Sequence, residues 1–319
     1  MSEKLAINHK KCKENKLGKQ GKIIGIVDIG SNTIRFNIYQ VTTQKRALLF
    51  TKKTFAGLSS YIENHVLHKS GVKKVVKTLN NFGQVFHAFN VDEVFVFATA
   101  ALRNVNNSIE VVKSIYEQTG IEVHVLTGKE ESKMDYFGAC LEVDVKDSYI
   151  IDIGGGSTEV ITCQNSNYSD GFSIPYGSLN LYKQHVNAIF PTRTEAIQIR
   201  HLIRKELENS PLKRLNMTTL YGIGGTIRAS GNLISELYYT DNHKYFSKEH
   251  LNHLIDGYIN QEGKVLKTAL QVAPDRLHTQ TVGMLILDEV MAYLNIHDVH
   301  VLKKGIRDGY LDTVLKQYY

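Results

Sequence analysis

Two short stretches of this chain carry the residue types that handle phosphate. Residues 23–41 read IIGIVDIGSNTIRFNIYQV and residues 148–161 read SYIIDIGGGSTEVI. Each runs from an apolar strand into Asp-Ile-Gly, then two small residues, then a hydroxyl residue, then β-prone residues. Asp28 aligns with Asp152, Gly30 with Gly154 and Thr33 with Ser157. A duplicated strand–glycine turn–strand predicts two similar domains facing each other across a cleft. Each would offer backbone N–H groups, a hydroxyl and a carboxylate to a phosphate and its metal. In the first copy Ser31, Asn32 and Thr33 are the hydrogen-bond donors, and Gly30 allows phosphate to approach the backbone. A lone D-x-G-x-x-T is more often an ordinary hairpin turn. Three successive glycines, Gly154, Gly155 and Gly156, give up chain entropy and pack nothing, which a plain hairpin does not require.

The copies differ two residues beyond the aligned hydroxyl, where the first has Arg35 and the second Glu159. Strand alternation puts both side chains on the same face. Arg35 suits a bidentate clamp on phosphate oxygens, and Glu159 suits a metal or its waters. The bland alternative is an Arg–Glu salt bridge between the domains.

The stretch LTGKEESKMDYFGA supplies a candidate base. Thr127 and Glu130 fit a capping box, which gives Glu130 a structural role. Glu131 has no such role, and like charge with partial burial would raise its pKa as a general base requires. On local pattern alone, two solvated glutamates favoured by the helix dipole are the commoner arrangement. A third glycine element, Tyr221-Gly-Ile-Gly-Gly-Thr226, opens a helix. Gly224 and Gly225 make a candidate anion site, with Thr226 as its N-cap and Arg228 in the first turn. Arg103, in a turn after a buried strand, is another phosphate ligand by type.

Other chemistries find little support. Thirteen histidines are scattered, without H-E-x-x-H or a Cys/His cluster, so a zinc site is not expected. No G-x-S-x-G elbow occurs. The longest apolar run, from Val94 to Leu102 apart from Thr99, is far short of the ~18 residues that span a bilayer. Three cysteines form no C-x-x-C pair, and the N-terminus has no apolar signal region, so a reduced cytoplasmic setting is expected. The net charge of +6 resides mostly in the first 22 residues, where seven lysines face two glutamates. The remainder is nearly neutral, so neither nucleic acid nor membrane is an expected partner. The basic residues 1–21 read as a disordered, solubilising tail.

Strands must carry these turns, and the pattern supplies them. Strands are expected over 23–30, 32–41, 45–55, 94–98 and 121–127 in the first half. Helices are expected over 70–89 and 108–119, and from about 128. In the second half 148–164 holds strands, 193–208 is a helix, and 217–237 is a strand, glycine turn and helix. Further helices fall at 247–260, 262–271 and 278–294, before a strand, a turn at Gly305 and a closing helix. Interleaved strands and helices argue an α/β fold with a mixed sheet in each half.

Taken together, VDIGSNTIRFNI, ATAALRN, LTGKEES, IDIGGGSTEV, PYGSLNL, GIGGTIRA and LKKGIRDGYL resemble the Ppx/GppA phosphatase family, in that order, over roughly residues 22–312. That family belongs to the actin-like, sugar kinase and heat-shock ATPase fold group. The resemblance implies two ribonuclease-H-like (actin-like ATPase) domains with mixed five-stranded sheets flanked by helices, and an active site in the interdomain cleft. The domains would span 22–137 and 138–319, with a final helix at about 305–319 packing back on the first. It implies Glu131 as catalytic base, and Asp152, Gly154, Gly155, Ser157 and Glu159 around metal and phosphate; Asp28, aligned with Asp152 in the duplicated turn, is a further candidate metal carboxylate. Arg35 is implied to touch the phosphate chain. Ser132 stands where Ala is usual and Asn180 where Arg is common. The chain resembles the short, two-domain form, without the C-terminal helical extension of larger relatives.

The implied activity is exopolyphosphatase: terminal phosphate released from inorganic polyphosphate, with Mg²⁺ or another hard divalent cation. Removal of the 5′ γ-phosphate from guanosine pentaphosphate would use the same residues, and motifs do not separate the two. A non-catalytic sensor of polyphosphate or of guanosine penta- or tetraphosphate is a third reading. Family habit implies a homodimer.

Overall fold

The computed structural model describes residues 21–238 and 242–318. Apart from Gly21, the expected basic tail lies outside the described residues. The chain forms two compact units. One holds the described residues up to Thr127 together with those from Tyr310 onward, and the other is Gly128–Gly309.

The first unit opens with an antiparallel meander, β1 (Lys22–Ile29), β2 (Thr33–Val41) and β3 (Arg46–Phe55). A short 3₁₀ turn, Leu58–Tyr61, and a small hairpin of β4 (Ile62–Glu63) and β5 (Val66–Leu67) lead into α1 (Lys69–Ala88). Then come β6 (Glu93–Ala98), α2 (Ala100–Arg103), α3 (Ser108–Thr119) and β7 (Val123–Val125). The sheet order is β3-β2-β1-β6-β7, with β6 parallel to both β1 and β7. Val27, Ile29 and Phe36 face the apolar stripe of α1, where Val72, Val75, Leu79, Phe82 and Phe86 recur at helical spacing. Phe36 meets Phe82 edge-on, ring centres 4.4 Å apart. Gly120 ends α3 with φ 73°, the left-handed stop that its position predicted.

The second unit begins with α4 (Gly128–Cys140), then β8 (Ser148–Ile153), β9 (Thr158–Gln164), β10 (Asn167–Ile174), α5 (Ser178–His185) and α6 (Arg193–Glu208). It continues with β11 (Leu220–Ile223), α7 (Gly224–Leu237), β12 (Tyr245–Ser247), α8 (Lys248–Ile259), α9 (Gly263–Val272), α10 (Gln280–Leu294) and β13 (Asp298–Val301). The last helix, α11 (Ile306–Tyr318), starts here and runs on into the residues of the first unit. The sheet order is β10-β9-β8-β11-β13-β12. It has six strands where five were expected. The extra strand, β12, is three residues long, too short to show a period in sequence. α10 is buried on nearly every side, which explains its apolar character.

The unit boundary falls at Thr127/Gly128, ahead of the expected 137/138, because α4 packs on β9 and β10. The final residues group with the first unit, where the Tyr310 ring lies 4.6 Å from that of Phe97 and Asp312 pairs with Arg46. Among the described residues no helix is long and apolar enough to cross a membrane.

Candidate active site

The Gly154–Ser157 turn joins β8 to β9, and the register sets Asp152 opposite Glu159 at its base. The Gly154 N–H donates to the Ser157 carbonyl at 3.0 Å. The first turn of α5 holds the other carbonyls. Ser178 N–H donates to Gly154 O at 2.9 Å, and Leu179 and Asn180 N–H groups both donate to Gly155 O at 3.0 Å. The Asn180 side-chain amide donates to Gly156 O at 3.1 Å, while its oxygen accepts from Gly177 N–H at 2.7 Å. Asn180, where Arg is common, thus braces the turn. With its carbonyls turned inward to α5, the turn has peptide N–H groups to offer an anion. Gly177 must be glycine: a Cβ there would lie 2.6 Å from Gly155 C and Gly156 N.

α4 brings the candidate base to the same sheet. Gly171 on β10 lets it approach, since a Cβ there would sit 2.6 Å from Ser132 Cβ. The Ser132 hydroxyl donates to Gly128 O at 2.8 Å. Glu131 is buried, 7% exposed, whereas Glu130 is half-buried. One turn further on, Asp135 is 0% exposed. Burial first, then the nearby charges of Asp152, Glu159 and Glu131, push the Asp135 carboxyl well above the usual carboxylate range. Ser173 donates to Glu159 Oε1 at 2.8 Å. Four acids from α4, β8 and β9 therefore form one electrostatic cluster.

Cations face it. Gly224, with φ 95°, passes its backbone over the Asp152 carboxylate, which leaves no room for a Cβ. The Arg276 guanidinium lies against Gly225 in the same way. Burial lowers the Arg228 pKa; Asp152 opposes that shift, and Arg307 and Arg276 add to it. Burial, with Arg276 and Lys183 nearby, holds His278 below its usual value. Helix α7 starts at Gly224 with Ile223 at its cap, so Thr226 is not the N-cap expected for it. The glycine conformation begins the helix three residues early, and Thr226 is buried inside the first turn.

The remaining expected ligands lie in the first unit. Asp28 stands opposite Arg35. The Gly30 N–H donates to Thr33 O at 3.1 Å, the counterpart of the Gly154 turn. Ser31 and Asn32 carbonyls accept from the N–H groups of Ser59 at 3.0 Å and of Ala56 at 3.0 Å. Arg35 Nε donates to Thr33 Oγ1 at 3.3 Å, and Arg103 Nη1 to Leu126 O at 3.2 Å. The Thr99 N–H reaches Ile29 O at 3.3 Å, so the 30–33 turn and the α2 segment with Arg103 share the carboxyl end of β1 and β6. That end is where open α/β sheets bind ligands.

Among the described residues, no three His, Cys, Asp or Glu side chains stand as a ready-made metal cage. The acid cluster still fits a hard divalent cation. It presents only carboxylate oxygens, and a cation such as Mg²⁺ keeps several waters and substrate oxygens in its shell. Asp135, Arg276 and Arg307 are site residues that sequence reasoning missed. Arg307 lies in the GIRDGYL motif, and Asp135 is one helical turn from Glu131. Arg276, in the 3₁₀ turn Pro274–Arg276, carried no signal.

Comparison with known proteins gives the family and the fold. Exopolyphosphatase 1 of Mycobacterium tuberculosis is 23% identical over 297 residues, covering 90% of this chain and 86% of that one. The bifunctional 3-dehydroquinate synthase/phosphatase of Fusobacterium nucleatum is 24% identical over 288 residues, 84% of this chain, which spans only 43% of that longer protein. The crystal structure of an exopolyphosphatase from Cytophaga hutchinsonii superposes with a TM-score of 0.80 at 19% identity, covering 93% of this chain and 99% of that one. The shared architecture is the two-domain, actin-like ATPase fold. Residues 37–318 match the Ppx/GppA phosphatase family, a span that begins just after the first glycine turn and takes in the second turn and the acid cluster, and the chain belongs to that family.

Proposed function

We propose that this protein is an exopolyphosphatase that releases terminal orthophosphate from inorganic polyphosphate. The observation that carries the reading is Glu131, a buried carboxylate one helical turn from Asp135, whose own carboxyl feels the charges of Asp152, Glu159 and Glu131. The N–H groups of residues 155–157 hold the terminal phosphoryl group, and Arg228, Arg276 and Arg307 attract the anionic chain. Glu131 takes a proton from a water whose oxygen bonds to phosphorus as the bridging P–O bond breaks. The shortened polymer leaves with the bridging oxygen. Arg35, Arg103 and residues 30–33 are phosphate ligands by type within the first unit. Asp152 and Glu159 would hold a divalent cation such as Mg²⁺, which when bound neutralises charge on the phosphoryl oxygens.

Guanosine pentaphosphate is the second substrate to test, because its terminal anhydride asks for the same residues. Phosphate release from both compounds, with Mg²⁺ or with EDTA, tests the reading for wild type and Glu131→Gln. Metal-dependent release from polyphosphate that falls by about 10²–10⁴-fold in the variant supports it. Release from the nucleotide alone moves the assignment to a pentaphosphate phosphohydrolase. Binding of both without release overturns the hydrolase and leaves a sensor.

A further inference from the structure

The outer face of α1 carries charge that the mechanism above does not use. From Asn64 to Val91 the chain has no Asp or Glu, yet it has Lys69, Lys73, Lys74 and Lys77. Lys69, Lys73 and Lys77 are exposed and Lys74 is half-buried. The three exposed lysines follow at i, i+4 and i+8, on the face that the buried stripe of α1 leaves open. At a rise of about 1.5 Å per residue, neighbours in the row are about 6 Å apart and the row is about 12 Å long. Among the described residues none of the four ammonium groups makes an ion pair. The acids that bracket the stretch are engaged elsewhere, Glu63 with His68 at 3.2 Å and Asp92 with the Ile23 N–H at 2.7 Å. On α3, packed beside α1, Glu117 pairs with Lys113 at 3.9 Å, and Glu110 pairs with none of these lysines. Like charges at i, i+4 cost a helix stability, and so does a cation in its first turn. Folding gains nothing from the row, and an anionic ligand would offset both costs.

We propose that this face of α1 is a second binding site for inorganic polyphosphate, with Lys69, Lys73 and Lys77 taking successive stretches of the polymer. No exposed residue of α1 is Phe, Tyr or Trp, so the face has no such ring on which a nucleobase could stack. A linear polyanion without bases, charged at every repeat, meets the row by charge alone. The identity of the polymer rests on the exopolyphosphatase reading above, but the lysines take no part in breaking the bond. A chain long enough to engage both α1 and the phosphate turn gains affinity from holding two sites at once, and a short one does not.

Binding measured apart from hydrolysis tests it. Fluorophore-labelled long-chain polyphosphate is titrated with the full chain in EDTA across a range of KCl, and bound polymer is followed by anisotropy. Wild type is compared with a triple variant, Lys69→Gln, Lys73→Gln and Lys77→Gln, and with the same three positions changed to Arg. The glutamine variant should bind at least about tenfold more weakly, the sum of three exposed ion pairs. Its log affinity should fall less steeply with log salt, by about 2 in slope, since each cation contributes about 0.7 on a single-stranded polyanion. The arginine variant should bind as wild type does. Tripolyphosphate, too short to engage both sites, should be hydrolysed by the glutamine variant with unchanged kcat and KM, while KM for the long polymer rises. Unchanged affinity and salt slope in the glutamine variant overturn the inference. Oligouridylate bound as tightly as polyphosphate through the same lysines overturns it in favour of a nucleic-acid surface. The glutamine variant should melt at or above the wild-type temperature; if it does not fold, Lys73→Gln alone is measured in its place. Lysine-dependent binding of polyphosphate without any phosphate release would sink the exopolyphosphatase reading and leave this site standing.

Discussion

Asp152 stands directly opposite Glu159 in the β8–β9 ladder, at the register that sets Asp28 opposite Arg35 in β1–β2. One duplicated turn thus ends in an acid–acid pair and the other in an acid–base pair. Like charges directly opposite cost stability, by about 0.2–1 kcal/mol per pair. Glu159→Gln should therefore leave the protein as stable or slightly more stable in EDTA, and abolish most metal-dependent phosphate release. Thermal unfolding alongside a phosphate assay checks both halves. A large loss of stability in EDTA would instead make Glu159 a structural group.

Gly177 is the keystone of the phosphate turn. A methyl group there would meet two backbone atoms of the turn at 2.6 Å, and neither can rotate away. Gly177→Ala should destabilise by about 1–3 kcal/mol, the usual range for overpacking. It should also depress phosphate release more than its stability loss explains, because the 154–157 amides would shift. Chemical denaturation and kinetics on the folded fraction separate the two effects.

Arg276 and Gly225 should behave as a pair. Arg276→Ala removes a guanidinium from the glycine turn and should raise KM for polyphosphate about 10-fold or more, the loss of a charge-assisted contact. Gly225→Ala should produce the same phenotype with Arg276 still present, by displacing its side chain. Arg276→Lys should recover only part of the loss, since a single ammonium cannot reproduce the planar fork. Steady-state kinetics on the three variants decide it, and a change in kcat alone would count against a binding role.

Asp312 sets a pH dependence outside the site. Burial raises its pKa, but Lys316 and Arg46 outweigh that and hold the carboxyl below its usual value. A depressed folded pKa means the unfolded chain binds the proton more readily. The pair's stabilisation is then complete above the unfolded value of about 4 and is lost as pH falls through the folded value. Asp312→Asn should lower stability in the neutral region, where the pair's contribution is complete, and converge with wild type as pH falls, so that its acid limb is flatter. Denaturation midpoints across pH 2–7 measure it.

Much of the scaffold was legible because its periods are clean. The stripe Val72, Val75, Val76, Leu79, Phe82 and Phe86 marks α1, and Gly120 marks the end of α3. The duplicated glycine turns were legible for a different reason: three glycines in a row at 154–156 have no packing purpose. Arg276 was not, because a 3₁₀ turn of three residues has no pattern and its closeness to Gly225 arises only in the folded unit. Asp135 looked like one more polar residue in a helix, and its complete burial depends on the sheet beneath it. Thr226 was misplaced because a glycine at φ 95° let α7 begin earlier than capping chemistry suggests.

The chain leaves the first unit at Thr127 and returns to it only at Tyr310. On the ribosome, the second unit has all of its sequence before the first does. The Phe97 ring and the Arg46 guanidinium wait for Tyr310 and Asp312 until synthesis has passed residue 312. The acid cluster, drawn wholly from Gly128–Gly309, can therefore assemble while the first unit's sheet still lacks its closing helix. The order of synthesis puts the acid cluster first and the completion of the first unit last.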